Sequence, residues 1–376
     1  MKKLLSLLFL GLGGIVLLYS NGSSKIMSDV LNMDFKAEVA ATKEELIERN
    51  FTNWVPQMSE TVEVVPENKE LKILAFGDVM LGRYVRVLMD RFGQNYPFEK
   101  IYNDGWFWDA DVVHANLEGP IKGEGKKGGT AMVFSFNEDV APLLKDHGFD
   151  MVSIANNHAL DQGPTGRDTT IAALDSAGVG WCGHPSEEDP ESVYYGEANG
   201  SKYAFVCFHD INTKINSEDA VDLIWNVKKK VDFVIVSVHW GYEYKHQPDQ
   251  KRQVKLAHSF IDAGADFIIG HHPHVVQNFE EYNGRLIFYS LGNFIFDQYW
   301  SKMTQEELSI GITMNKEGDE IHTRVDLFPM KSKMSQSQLM NEDEKASWLN
   351  EFLSYGTYDE ETEEQVKNGF VAISGK

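Results

Sequence analysis

The chain has 376 residues, 42% of them hydrophobic and 12% aromatic, and this composition excludes a disordered protein. With 35 Lys and Arg against 57 Asp and Glu, the formal net charge is −22. This charge argues against a nucleic-acid-binding protein, because phosphate backbones are bound by Lys and Arg surfaces.

Residues 1–24 are predicted to form a signal peptide or a membrane anchor. Lys2 and Lys3 precede an uncharged, mostly apolar run over residues 4–24, and a basic region before an apolar run is typical of export signals. The run is close to the roughly 20 residues that cross a bilayer as a helix. We favour an uncleaved anchor, since Ser20-Asn21-Gly22 is a weak cleavage site. The rest of the chain is then predicted to lie outside the cell membrane, or to be secreted if the signal is cleaved.

The two cysteines would lie in an oxidising location, where a disulfide can form. Cys207 lies in YAFVCF, which is typical of a buried strand. Free cysteine is common at buried positions. We therefore favour free thiols for Cys182 and Cys207, and the disulfide remains the alternative.

Residues 25–69 are mixed and polar and are predicted to be a stalk or lead-in. From residue 71 onward, short apolar segments bounded by Gly, Asp or Asn alternate with helical patterns. The predicted strands are residues 71–76, 111–116, 150–155, 203–208, 231–238, 265–270 and 285–291. Helical patterns cover residues 140–147, 169–178 and 251–264, the last two running up to a glycine. This alternation predicts an α/β domain over residues 70–330.

Residues 331–376 are predicted to be a polar C-terminal extension with one helix. In NEDEKASWLNEFLSYG, the apolar side chains Trp348, Leu349 and Phe352 fall on one side of a helix. We expect this face to pack against the main domain.

Side chains that bind metals or transfer protons recur directly after the predicted strands. They are Asp78, Asn116, Glu118, Asn156, Asn157, His158, Asp161, His239, Glu243, His271, His272, His274 and Asn293. The carboxyl ends of strands in an open α/β sheet share one edge, so we expect these groups to meet there. Imidazole with carboxylate and amide oxygens suits Zn, Mn, Fe or Ni. The pattern therefore predicts one or two divalent metal ions.

Two details of this pattern give local predictions. Proline separates His272 from His274, and two positions apart in an extended segment would place both rings on the same side. Trp240 follows His239 within HWGYEY and is predicted to form a wall of the pocket.

The ordered motifs GDVMLGR, NLEGP, ANNHALDQG, HWGYEY, GADFIIGHHPHVVQ and YSLGNFIFD closely resemble those of the CapA family over about residues 70–330. That family is linked to poly-γ-glutamate capsule synthesis and belongs to the calcineurin-like metallophosphoesterase superfamily. The resemblance implies a four-layer α/β/β/α sandwich of the metallophosphoesterase type.

The resemblance also implies roles for individual residues. Asp78 and His274 resemble ligands of a first metal, and Glu118 stands where the superfamily has a bridging carboxylate. The remaining set resembles ligands of a second metal, namely Asn157, His239 and His272. His158 is implied to be the general acid or a contact to the scissile phosphoryl oxygen. His271 is implied to lie beside the ligands, and the resemblance gives no role to Glu243 or Asn293.

The sequence departs from the superfamily at the first metal. Met80 occupies the position of the histidine in the opening Asp-x-His motif, and a thioether is a poor ligand for a borderline dication. Glu118 replaces the usual bridging aspartate. We therefore expect a first metal site that differs from that of the superfamily.

Three hypotheses for function follow, one of which is a purely structural scaffold. In the first, the protein is an extracytoplasmic metal-dependent hydrolase in the synthesis, export or processing of an anionic polymer, with a phosphoester or a γ-glutamyl amide as its substrate. In the second, it is a non-catalytic, metal-containing accessory subunit of a polymer synthase or export complex. The expected partners are the polymer, membrane-bound synthase subunits and the membrane itself through the N-terminal segment, but not nucleic acid.

Overall fold

The computed structural model describes residues 7–10, 14–17, 69–103, 105–122, 132–184 and 190–375. Near the N-terminus, strands β1 (Leu7–Leu10) and β2 (Gly14–Leu17) pair antiparallel. None of the helices in these ranges has the length and apolar character needed to cross a bilayer. The predicted stalk lies outside the described residues except for Lys69, so the anchor and the stalk stay predictions.

The first sheet of the domain is mixed. Its strand order is β16-β15-β14-β3-β4-β5-β6, in which β3 to β6 are parallel and β14 to β16 are antiparallel additions. Two further strands pair at its sides, β13 with β3 and β17 with β15. The bounds are β3 Lys69–Val79, β4 Val112–Leu117, β5 Met151–Ser153, β6 Gly180–Cys182, β13 Asn293–Ile295, β14 Glu306–Glu317, β15 Glu320–Lys333, β16 Gln336–Leu339 and β17 Phe370–Gly375.

The second sheet has the order β11-β12-β10-β9-β8-β7. Strands β8, β9, β10 and β12 run parallel, and β7 and β11 are antiparallel edges. The bounds are β7 Val193–Ala198, β8 Ser201–His209, β9 Phe233–His239, β10 Phe267–His271, β11 Phe279–Tyr282 and β12 Arg285–Phe288. All seven strands predicted from the sequence are present, three in the first sheet and four in the second.

The described residues contain seven α-helices. They are α1 Arg83–Phe92, α2 Val140–Asp146, α3 Gly163–Ala177, α4 Ser217–Lys228, α5 Gln253–Asp262, α6 Glu342–Leu353 and α7 Glu360–Lys367. Single 3₁₀ turns occur at Tyr96–Phe98, Pro190–Ser192 and Met303–Gln305. Helix α3 ends as predicted, because Gly178 adopts a left-handed conformation with φ 71° and its N–H bonds back to the last turn.

Three separate cores show that the elements stack in four layers. The core between the two sheets includes Ile73 of β3 and Phe205 of β8. The outer face of the first sheet packs Phe76 against α1, α2 and α3, and the outer face of the second packs Val236 against α4 and α5. Along the central strands β3, β4, β8, β9 and β10 apolar side chains face both sides of the sheet, so these strands are buried on both faces. This confirms the α/β/β/α sandwich.

The C-terminal segment belongs to the same sandwich. Its predicted helix is α6, which begins at a capping box formed by Asn341 and Glu344 and buries Trp348 and Phe352 in the core between the sheets. The segment also contains α7, β16 and β17, which the sequence analysis did not predict. Strand β17 pairs with β15, so the chain ends as part of the first sheet.

The prediction of free thiols is wrong, since a disulfide joins Cys182 and Cys207. Cys182 ends β6 in the first sheet and Cys207 lies in β8 of the second, and both face the core between the sheets. Their Cα atoms are 5.6 Å apart, a normal disulfide separation. The sequence indicated that both were buried but not that two separate strands would face each other there.

Reduction of this disulfide is expected to destabilise the protein by about 3.5 kcal/mol, the entropic estimate for a closed loop of this length. The two cysteines are 25 residues apart in the chain. Thermal melting with and without reductant checks this, and the Cys182→Ala, Cys207→Ala double variant is the control that should not respond. An unchanged melting temperature after full reduction of the wild type would contradict the expectation.

Candidate metal centre

The carboxyl edges of the two sheets meet at one place, and the predicted ligands converge there. Strand β3 supplies Asp78 from the first sheet, and the turns after β4 and β5 supply Glu118 and Asn157. From the second sheet, β9 ends at His239 and the loop after β10 carries His272 and His274. Every one of these six side chains contacts another member of the set. The prediction of a shared edge therefore extends across two sheets.

A close backbone approach positions Asp78. A side chain at Gly77 would place its Cβ only 2.0 Å from the carbonyl oxygen of Gly292, so only glycine fits there. The next amide, of Asp78, donates to that same carbonyl at 2.9 Å. This contact fixes the end of β3 against the segment that leads into β13.

The Asp78 carboxylate is completely buried and surrounded by donors. Its Oδ1 accepts from Asn116 Nδ2 at 2.8 Å, and its Oδ2 accepts from the backbone N–H of His272 at 3.2 Å. Burial by itself raises the pKa of this carboxyl, but contacts from His271 and His274 outweigh it and hold the pKa well below the ordinary value. Asp78 is therefore ionised at neutral pH.

Three neutral donors face one another beside Asp78. Asn157 Oδ1 lies 2.7 Å from His239 Nε2, and that nitrogen lies 3.1 Å from His272 Nδ1. Burial, reinforced by the neighbouring imidazole, holds the pKa of His239 well below its ordinary value and lowers that of His272 to about 3. Uncharged imidazoles and an amide oxygen directed at one point can act as ligands to a cation.

Glu118 is the most unusual group of the centre. Neither carboxylate oxygen has a hydrogen-bond partner among the described residues, although the side chain is fully buried. The nearest basic atoms are His158 Nε2 at 3.7 Å and His274 Nε2 at 3.8 Å. Burial, together with the charges of Asp78 and Glu243, raises the pKa of Glu118 well above its ordinary value. An unpaired buried carboxyl is costly, and a bound cation would satisfy it.

The donors include two groups of three residues. Within each group, one ligand atom from each residue lies within 4.8 Å of the others. One group is Asp78, Glu118 and His239, and the other is Glu243, His272 and His274. The two groups adjoin, since His274 Nδ1 also lies 3.5 Å from Asp78 Oδ2, and the division of ligands implied by the family resemblance stays a prediction. The donor set as a whole fits one or two divalent cations.

The HHPH segment is not extended, so the predicted reason for its geometry is wrong. His272 and His274 have φ values of 97° and 59°, in the left-handed region that non-glycine residues seldom adopt. Their rings still lie on the same side, with centroids 5.8 Å apart. Strained backbone of this kind is found where the surrounding structure holds functional groups in place.

Asn293 orients His274. Its Oδ1 lies 2.9 Å from His274 Nδ1, and its Nδ2 donates to three oxygens, of His274, Gln298 and Thr304. With Nδ1 held by Asn293, His274 directs Nε2 towards Glu118. A hydrogen bond to the second ring nitrogen is the usual way in which a protein sets the tautomer of a ligand histidine.

His158 lies at the edge of the centre with its own supporting contacts. Its Nδ1 is 2.8 Å from Asp161 Oδ2, and its ring stacks on Phe134 at 3.9 Å. Its backbone N–H donates to Asn156 Oδ1, and Asn156 in turn donates to Asn116 Oδ1. The predicted residues Asn116, Asn156 and Asp161 thus support ligands and His158 instead of facing the cation position.

One predicted residue, Trp240, lies deeper than expected. Trp240 is fully buried between the second sheet and its helices, where Nε1 donates to the carbonyl of Tyr289, so it does not line the pocket. His271 lies behind Asp78, with Nδ1 3.5 Å from Asp78 Oδ1, and neither ring nitrogen hydrogen-bonds to a described residue. Met80 is also buried and its sulfur accepts from the N–H of Gly82 at 3.2 Å, which fits packing and not ligation.

Two residues of this region were not predicted from the sequence. His209 ends β8 beside His239, with ring centroids 6.2 Å apart, and the rule of polar residues after strands would have found it. Arg83 approaches from the first turn of α1, where it adopts φ 46° and binds Asp297. No rule based on strand ends could have found Arg83, although it closes the GDVMLGR motif.

Comparisons with known proteins agree with these motifs. The family model described as "Bacterial capsule synthesis protein PGA_cap" matches residues 72–298. Capsule biosynthesis protein CapA of Bacillus anthracis is 36% identical over 279 residues, which are 68% of this chain and 67% of the relative. PGA biosynthesis protein CapA of Bacillus subtilis (strain 168) is 34% identical over 259 residues, with coverage of 64% and 67%.

Two further matches are more distant. A "probable polyglutamine synthesis accessory protein" of Mycobacterium tuberculosis is 27% identical over 284 residues, 60% of this chain and 74% of the relative. Among solved structures, a phosphatase from Mycoplasma pneumoniae matches with a TM-score of 0.41 and 13% identity, covering 71% of this chain and 96% of that one.

Proposed function

The chain belongs to the family of bacterial capsule synthesis proteins, and we propose that it is a metal-dependent hydrolase that acts on an anionic cell-surface polymer during synthesis, export or processing. The polymer is poly-γ-glutamate by association with the named relatives. The observation that carries the proposal is the buried Glu118 carboxyl without hydrogen-bond partners, surrounded by imidazole and carboxylate donors.

The chemistry follows from the donor set. One or two divalent cations held by Asp78, Glu118, Asn157, His239, His272 and His274, with Glu243 nearby, would lower the pKa of water and polarise the scissile bond. The protein's own groups prepare the site for this. Asp78 is ionised and His239 and His272 are neutral, which are the protonation states that ligands require.

His158 is proposed to donate a proton to the leaving group. Asp161 holds one ring nitrogen, Nδ1, and the other nitrogen, Nε2, faces Glu118 and the cation position. Phe134 fixes the plane of the ring by stacking. A histidine held at one nitrogen and directed at the reacting atoms with the other has the geometry of a general acid.

The proposed location follows from the sequence. The basic, apolar N-terminus would anchor the chain in the cell membrane and leave the domain outside, near membrane-bound subunits of a polymer synthase. The excess of acidic residues makes nucleic acid an unsuitable partner.

Elemental analysis and activity assays test the proposal. The purified full-length chain is expected to carry one or two equivalents of Mn, Zn, Fe or Ni, and to hydrolyse a model phosphodiester or γ-linked oligoglutamate. Chelation should abolish turnover and added metal should restore it. A metal-free protein that gains no activity with any of these four metals would contradict the proposal.

One observation favours a second function, in which the protein is a non-catalytic accessory subunit that binds the carboxylates of the polymer through its metal. Met80 replaces a histidine ligand and turns its sulfur to the backbone, so the first metal has fewer imidazole ligands. The name of the Mycobacterium tuberculosis relative is in line with this function. Bound metal with no turnover of either substrate would support the accessory function over the hydrolase.

A further inference from the structure

A cavity of about 400 Å³ opens beside the metal centre. His158 and His274 line its inner side, so a group in this cavity would be next to the bond that reacts. The rest of the lining is dominated by large apolar and aromatic side chains, namely Met132, Phe134, Tyr244, Phe296 and Trp300. We name this cavity the aromatic pocket.

Several of these side chains are exposed to an unusual degree for their size. Trp300 is 63% exposed, Met132 59% and Tyr244 38%. The rings of Trp300 and Tyr244 meet edge to face at 6.1 Å, and the Tyr244 ring lies 6.2 Å from that of His274. A group of exposed apolar side chains next to a reactive site is typical of ligand contact.

The charges of the aromatic pocket disfavour an anionic ligand group. The guanidinium in the lining of the pocket belongs to Arg83. Both Nε and Nη2 of Arg83 donate to the Asp297 carboxylate. The guanidinium also lies over Phe134 at 5.2 Å and Phe296 at 5.7 Å. Glu243 adds a carboxylate. A glutamate carboxylate of the polymer would therefore meet acidic groups and a cation that is already paired.

We propose that the aromatic pocket holds a sugar ring, and that the bond cleaved is a phosphoester of that sugar and not the link between two glutamates. A pyranose has an apolar C–H face that can pack on the Trp300 indole, and hydroxyl edges that can hydrogen-bond to Gln298 and the Arg83–Asp297 pair. This inference rests on the proposed hydrolase function, but it takes a sugar phosphoester as the substrate in place of the poly-γ-glutamate suggested by the named relatives.

The reaction balances as an ordinary hydrolysis. The oxygen of a water molecule bonds to phosphorus while the bond between phosphorus and the sugar oxygen breaks. The sugar oxygen takes the proton that His158 holds, and the proton of the attacking water replaces it. The products are a free hydroxyl on the sugar and, from a monoester, inorganic phosphate; from a diester the phosphate group stays on the other fragment.

The kinetic test compares substrates that differ in the group next to phosphorus. The full-length chain with added Mn²⁺ is assayed on glucose 6-phosphate, propyl phosphate and phenyl phosphate. We expect a higher kcat/KM for the sugar phosphate than for propyl phosphate, and Trp300→Ala should reduce this ratio by about three- to tenfold, the range for one aromatic contact. Trp225→Ala is the matched control, because Trp225 on α4 is 55% exposed and contacts Lys229 away from the site.

Two kinetic results would overturn the inference: no preference for the sugar phosphate over propyl phosphate, or a ratio that Trp300→Ala leaves unchanged. Phenyl phosphate serves only to check turnover, because phenolate leaves more easily than an alkoxide whether or not a subsite binds it. Since Trp300 is mostly exposed, its removal should not unfold the protein, and thermal melting checks this.

A binding experiment tests the sugar subsite independently of the proposed hydrolase activity. Calorimetry with a neutral trisaccharide of N-acetylglucosamine needs no turnover. Binding that weakens in Trp300→Ala but not in Trp225→Ala would support the sugar subsite even if no phosphoester is hydrolysed. No binding, or equal binding by both variants, would overturn the sugar subsite whether or not the protein proves to be a hydrolase.

Discussion

Replacing His272 and His274 together by alanine is expected to remove the bound metal and to reduce hydrolysis about a thousandfold, because a cation supplies several kcal/mol of transition-state stabilisation. These two side chains contribute to both donor groups through their contacts with His239 and Glu118. Elemental analysis of the purified variant, with kcat/KM on the best model substrate, measures both effects.

The matched control removes two histidines elsewhere. His258 on α5 contacts Glu280, and His322 on β15 lies 2.9 Å from Ser374, so neither belongs to the centre. The His258→Ala, His322→Ala variant should keep its metal and its activity. Full metal content in the His272, His274 variant would show that the donors identified here do not hold the ion. Loss of the metal with unchanged activity would show that catalysis does not require the metal.

The elements that depend on local pattern could be predicted from the sequence. Each predicted strand is a short apolar run bounded by turn residues, and α3 and α5 were visible because each is followed by a glycine. The division into two sheets depends on pairing between distant segments, which periodicity does not report. That information came from the resemblance of ordered motifs.

The missed elements have a physical reason in common. Strands β14 and β15 form a long hairpin in which polar residues alternate with Ile310, Ile312 and Met314, so no continuous apolar run marks it. The alternation itself was the signal, since one face of β14 packs in the core between the sheets. Helix α4 is amphipathic and polar on its outer side. It also lacks a continuous apolar run, and for that reason it was overlooked.

The candidate site was found by one rule, and the exceptions show its limit. The rule places polar groups after strands, and it located the ligands because both sheets present their carboxyl edges to the same point. It misplaced Trp240, because successive residues of a strand face opposite sides. His239 faces the gap between the sheets, so the next residue turns into the core on the outer side.

Replacing His158 by alanine is expected to lower kcat by about 10²- to 10⁴-fold, the usual contribution of a positioned general acid. Metal content should stay unchanged, because the closest carboxylate oxygen of the centre, in Glu118, lies 3.7 Å from His158 Nε2. Asp161→Asn should give a smaller loss, since it weakens the contact that orients the ring but leaves the imidazole in place. Loss of metal in His158→Ala would instead make His158 a ligand.

The choice of leaving group distinguishes the two roles that the resemblance allows for His158. A general acid matters most when the leaving group is a poor one, so His158→Ala should be much more harmful with an alkyl phosphoester than with a p-nitrophenyl ester. A histidine that only contacts the phosphoryl oxygen would affect both esters equally, because that oxygen is the same in each. Equal losses would therefore contradict the general-acid role while leaving the metal centre in place. The carboxylate of Asp161, at 2.8 Å from Nδ1, favours the first outcome, since it orients the ring so that Nε2 faces the reacting atoms.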